Sequence, residues 1–205
     1  MGVRMKYFLS LFMMVFIALI SCSEKPEQQQ LKTDSVQQQE QIKAEPIEPD
    51  SLTRLQQIKT MVQECSNIFK GKKANCNEGK KTVSEEVNEG DPFNFEQTAS
   101  KCIDVSGYEL HTANFNGHEW SNTVTIYIKD GVPFFGLSET YSEGYATESR
   151  FYFKTKGELL SVLVRENDGM GGDLGKNKAL TSAQEITDIM ANFSIWRKDI
   201  DQMVK

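Results

Sequence analysis

The chain of 205 residues carries 29 acidic and 23 basic side chains, with 39% hydrophobic and 10% aromatic residues, the composition of one or at most two globular domains. It lacks the basic footprint of a nucleic-acid binder, so no nucleic-acid partner is expected. Removing the first 21 residues takes away Arg4 and Lys6 and no acid, leaving 21 basic against 29 acidic groups, or −8. A surface of that sign repels phosphate and anionic lipid heads.

Arg4 and Lys6 precede Tyr7 to Ile20, a run of 14 residues interrupted only by Ser10. That is the layout of a secretory signal peptide. A spanning helix needs about 20 apolar residues, so the run is too short to stay in the bilayer. It ends in Leu19-Ile20-Ser21-Cys22, and here the chain resembles a bacterial lipoprotein precursor. Leu19 stands three before the cysteine and the small Ser21 just before it, as in a lipobox. The resemblance implies cleavage after Ser21, a diacylglycerol on the Cys22 thiol and acylation of the new amino terminus. Two or three chains anchor firmly because each buried methylene contributes about 0.8 kcal/mol. Ser23 stands where an inner-membrane retention signal would put Asp, which points to the outer membrane, facing the periplasm. The membrane, through Cys22, is thus the first expected partner.

Residues 1–21 are therefore read as the leader, 22–50 as a tether and 51–205 as one domain. Between Ser23 and Asp50 there are seven glutamines, three of the five prolines, no glycine and no aromatic residue. Such a segment buries too little apolar area to offset chain entropy. Asp34-Ser35-Val36 and Asp50-Ser51-Leu52 resemble the Asp-Ser/Thr-apolar sequon that some bacteria O-glycosylate.

Asp50 or Ser51 can cap a helix over about 51–70, whose apolar stripe is Leu52, Leu55, Ile58, Val62, Cys65 and Phe69. Lys70 and Gly71 supply its stop. From Gly71 to Pro92 the chain is polar and reads as a loop, with a short strand near Thr82 to Val87. From Phe93 the rhythm changes to two, and 15 of the 20 aromatic residues lie between Phe93 and Trp196. Ile103 and Val105, then Tyr108 to Phe115, lead into two hairpins. In the first, Val124, Ile126 and Ile128 turn at Asp130-Gly131 into Phe134, Phe135 and Leu137. In the second, Phe151 and Phe153 turn at Lys156-Gly157 into Leu160, Val162 and Val164. Five or six antiparallel strands result. Thr181 or Ser182, with Gln184 or Glu185, opens a last helix whose stripe is Ile186, Ile189, Met190, Phe193, Trp196, Ile200 and Met203. The expected fold is α+β: an N-terminal helix, an antiparallel meander and a C-terminal helix packed on the sheet, with one sheet face covered.

With Cys22 lipidated, three cysteines remain in a compartment that permits disulfides. Cys65 with Cys76 is the expected pair, Cys102 then being a buried thiol; Cys76 with Cys102 competes, and no bridge is the third alternative. His111 and His118 flank an Asn116-Gly117 turn without an evident third ligand, and read as solvated strand-end residues. The glycine-rich stretch Glu166 to Gly175 matches no calcium loop in register and reads as a connection. No nucleophile elbow, HExxH or Walker loop is present, so no catalytic, cofactor-binding or metal residue is assigned. Two classes stay open. One is a binding module whose exposed sheet face, with Thr125, Tyr127, Arg150, Tyr152 and Lys154, contacts an envelope protein or glycan. The other is a periplasmic hydrolase pairing Glu139 with Glu143 or Glu148.

Overall fold

A computed structural model describes residues 49–71, 75–86, 92–167, 169 and 171–205. The leader, Cys22 and Ser35 lie outside the described residues. Helix α1 (Pro49–Gly71) opens on a proline, whose fixed φ suits a first turn and whose missing N–H would have no partner there. Asp50 in the first turn and Lys70 in the last complement the helix dipole. The helix thus takes the final two residues assigned to the tether, and Ser51 sits in its first turn.

Eight strands follow as one open antiparallel meander in chain order: β1 (Asn75–Glu85), β2 (Phe93–Ile103), β3 (Tyr108–Asn116), β4 (Trp120–Lys129), β5 (Val132–Ser142), β6 (Tyr145–Phe153), β7 (Leu159–Glu166) and β8 (Lys178–Ala179). Helix α2 (Ala183–Met203) closes the chain. The α+β class and both helices stand, but the five or six strands expected become eight. The stretch before Pro92, read as a loop with a short strand near Thr82 to Val87, holds the longer β1, paired with β2 along all of its length. Val105 is fully exposed in the turn after β2 and belongs to no strand. Asp130 and Gly131, at φ 50° and 79°, form the two-residue hairpin loop that Asp-Gly favours, and Glu143-Gly144 repeats it between β5 and β6.

Period-two alternation sends neighbouring residues to opposite faces, and each helix claims one face. Under α2 lie Val124, Ile126, Ile128, Phe151, Phe153 and Val162, all at most 2% exposed, packed with Phe193, Trp196, Ile200 and Val204. Phe193 lies 5.0 Å from the Phe151 ring and 5.2 Å from that of Phe153. Ser182 caps the helix, its Oγ accepting from the Glu185 backbone N–H. Under α1 lie Tyr108, Phe134 and Tyr152, with Tyr127, Phe135 and Leu163 packed beside them against Ile58, Val62 and Cys65. A register shift after Tyr127 leaves Phe134 unpaired in the ladder, and this bulge lets the consecutive Phe134 and Phe135 both join that cluster. Each sheet face therefore receives a helix, and the single covered face expected from the sequence is corrected.

Candidate functional site

Helix α1 covers only one end of its face. Near its start the Arg54 Nε donates to the Phe153 carbonyl at 3.1 Å; further along, Tyr108 Oη donates to Glu64 Oε2 at 2.7 Å. Phe153 ends β6 and Tyr108 begins β3, which in an antiparallel meander is the same end of the sheet. The opposite half of this face stays open. Two cross-strand rungs run along it: Ser100, Thr112, Thr125, Leu137 and Arg150 in one, Thr98, Asn114, Thr123, Glu139, Glu148 and Arg165 in the next.

Several of these polar side chains are hydrogen-bonded to one another and keep capacity toward solvent. Ser100 Oγ and Thr112 Oγ1 lie 2.8 Å apart, and Thr123 Oγ1 donates to Asn114 Oδ1 at 3.0 Å. Asn114 Nδ2 also donates to Thr98 Oγ1, at 3.5 Å. At the β1 edge the exposed Lys80 and Glu96 pair at 2.8 Å. A shallow depression of about 550 Å³ lies over these strands, with Glu96, Thr98, Ser100, Thr112 and Asn114 in its lining. A hydroxyl or amide has both donor and acceptor capacity, so the surface suits a polar, multiply hydrogen-bonding ligand.

The far side of the face is charged. Glu148, 5% exposed, receives Arg165 Nε at 2.9 Å and Nη2 at 2.5 Å, and Arg150 Nε at 2.6 Å. Burial alone would raise this carboxyl, but the Arg165 hydrogen bond and both guanidinium charges overcome it and hold Glu148 below the ordinary carboxylate range. Glu139 stands directly opposite Glu148 across β5 and β6 and is exposed.

Of the contact face expected from Tyr127, Arg150 and Tyr152, the two tyrosines are not free surface. Tyr152 is 8% exposed and joins the cluster beneath α1, as does the half-buried Tyr127; Arg150 is engaged with Glu148. An amphipathic helix must bury its stripe, and these rings are the apolar part of the face that receives it. The cysteine pairing also differs: Cys76 bonds Cys102, its direct neighbour across the β1–β2 ladder, while Cys65 is a buried free thiol under α1. Burial pushes the Cys65 thiol up to about 11, which keeps it protonated and unreactive. Once β1 is a strand, Cys76 is carried out along β2 and Cys65 stays at the sheet face.

His111 is buried on the α2 side, its Nε2 2.9 Å from Glu109 Oε2, whereas His118 is half-exposed in the β3–β4 turn. They form no pair, and no group of three metal-binding side chains occurs among the described residues. In the glycine-rich connection, Asn167 binds Ala146 and Gly144 through its side chain and Gly175 N–H donates to the Glu166 carbonyl, so these described residues tie the stretch to the β5–β6 hairpin. Asp168 and Met170 lie outside the described residues. Of the two rungs the sequence pattern points to Thr125, Arg150, Glu139 and Glu148 but not to Thr98, Ser100, Thr112, Asn114 or Thr123. Their signal was present as Thr98, Ser100, Thr112 and Asn114 alternating with the buried Ala99 and Ala113. Comparison of the chain with family models, curated proteins and solved structures gives no match.

Proposed function

We propose that the chain is a lipoprotein of the cell envelope, anchored through Cys22 to the outer membrane on its periplasmic side, whose folded part is a non-catalytic binding module. The anchor rests on the short apolar run ending in Leu19-Ile20-Ser21-Cys22. The Cys76–Cys102 disulfide supports export to an oxidising compartment. The observation that carries the binding reading is the open half of the α1 face, where in-register Ser, Thr and Asn side chains border a shallow depression instead of meeting a helix. Its ligand is a polar chain, a glycan or an envelope protein segment, lying across the strands.

The hydrolase reading draws on one observation, the direct opposition of Glu139 and Glu148. Against it, two arginines hold Glu148 ionised and occupied, which unfits it as a general acid. One complementation experiment tests both. Asn114→Arg combined with Thr123→Glu places an opposite-charge cross-strand pair over the face at two exposed positions, preserving the fold. This variant should fail to restore the phenotype of a deletion strain while labelling with a tagged fatty acid stays normal, and Glu139→Gln should restore it fully. In the same assay Cys22→Ser should lose the label. Full restoration by the face variant with loss of function in Glu139→Gln transfers the conclusion to the hydrolase; persistent labelling of Cys22→Ser removes the anchor.

A further inference from the structure

The end of the sheet that carries the β3–β4 and β5–β6 turns exposes aromatic side chains. Trp120 is 36% exposed and Tyr141 53%. Both border a depression of about 640 Å³, together with Glu119 and Glu143. The two turns are tied to each other, the Glu143 N–H donating to the Glu119 carbonyl at 3.2 Å. Both glutamates sit in the left-handed region, at φ 73° and 50°, where longer side chains are uncommon. Glu85 adds a third carboxylate, accepting from the His118 backbone N–H at 3.0 Å.

The charge here is one-sided. No lysine or arginine forms an ion pair with Glu85, Glu119 or Glu143 among the described residues; the sole basic neighbour is His118, whose Nδ1 is 3.7 Å from Glu119 Oε1. Glu148, by contrast, has Arg150 and Arg165, and Glu96 has Lys80. Aromatic ring faces carry negative potential, so rings and carboxylates here favour the same visitor, a cation with apolar stem.

We propose that this end of the sheet docks a lysine-bearing segment of another protein, its ammonium group set between Glu119 and Glu143 and its methylene stem against Trp120. Charge complementarity selects that occupant, because an acidic peptide is repelled and a neutral sugar leaves the two carboxylates unmatched. Its lining shares no residue with the depression over the hydroxyl rungs, so either site can fail without the other.

The test uses the full chain in a neutral detergent micelle with its two tryptophans, Trp120 and Trp196, labelled with nitrogen-15 so that each indole N–H reports separately. Pentalysine should shift the Trp120 resonance saturably and leave Trp196 in place. Glu119→Gln combined with Glu143→Gln should weaken that binding about tenfold or more, as should raising salt from about 50 to about 300 mM. An unchanged Trp196 resonance certifies the fold of the variant. Pentaglutamate and chitopentaose should leave Trp120 unmoved. The proposal is overturned if pentalysine gives no saturable shift, if the double variant binds as tightly as the parent, or if chitopentaose moves Trp120 as strongly as pentalysine.

Discussion

The two faces of the sheet come from the same strands, one residue apart, yet one closes over hydrocarbon and the other stops halfway. Beneath α2, isoleucines, valines and phenylalanines meet Phe193, Trp196 and Ile200, and the apolar rows extend over several strands. Beneath α1 the cluster is built on Tyr108, Tyr127 and Tyr152 and gives way along each strand to Thr, Ser, Asn and charge. A helix covers a stripe about 10 Å wide, while strands of 9 to 11 residues such as β3 to β5 reach about 30 Å. One helix therefore leaves part of a face to be filled or wetted. On the α2 side that remainder includes the buried Asn122 and Ser138, hydrogen-bonded to each other at 2.8 Å; on the α1 side it is open. The lesson is that alternation allots residues to faces, and helix placement then decides which polar residues become surface.

The sharpest way to break this comparison is to empty its denser side. Phe193→Ala removes a ring that is 3% exposed and touches Phe151 and Phe153, and should cost about 3 to 5 kcal/mol in a urea titration. Tyr127→Ala, a half-buried ring against Phe134 and Phe135, should cost about 1 to 3 kcal/mol. Equal losses would mean that the two faces contribute equally to stability.

Gly79→Ala sharpens it at one strand. A Cβ at Gly79 would stand 1.8 Å from the Met203 carbonyl oxygen, so the end of α2 rests on bare backbone there. The substitution should cost about 1 to 3 kcal/mol through overpacking. Its neighbour Lys80 points to the open face, and Lys80→Ala should stay within about 0.5 kcal/mol, since an exposed ion pair contributes little. A neutral Gly79→Ala in thermal denaturation would show that α2 does not seat against β1.

Helix α2 was legible almost residue by residue, because its cap and apolar stripe are local and packing only confirms them. The strand count was not. β1 carries a single aliphatic side chain besides Cys76, in the sequence Asn-Cys-Asn-Glu-Gly-Lys-Lys-Thr-Val-Ser-Glu; its strand state is imposed by pairing with β2, which no local pattern announces. The same holds for Glu139 to Tyr145, where β5 and β6 continue through a polar stretch to the Glu143-Gly144 turn. The candidate site was half legible: alternating Thr, Ser and Asn mark a polar face, but nothing in α1 says which end of the sheet it crosses. That missing fact is also why Tyr127 and Tyr152 read as surface residues.

The smallest effect distinguishes the faces by proton uptake. His111 is buried on the α2 side among Glu109, Lys101 and Asp201, and its imidazole is held below the ordinary value of about 6.5, burial outweighing the help of the Glu109 carboxylate. In the unfolded chain that imidazole takes up its proton as pH falls through about 6.5; in the folded chain it does so only at lower pH. Between those two points the unfolded state binds more protons, so stability must fall on acidification, with the full stability present above the ordinary value and the loss complete below the folded one. Glu148 contributes in the same direction further down, since a carboxyl held low loses its stabilisation as pH drops below the ordinary carboxylate range. His111→Gln keeps a hydrogen-bonding side chain and cannot titrate, so its stability in urea should be flat across the window just below pH 6.5 where the parent declines, while the lower carboxylate-driven decline persists in both. An identical decline in parent and variant through the upper window would mean that His111 is solvated in the folded protein, and that the α2 face is wetter than its packing implies.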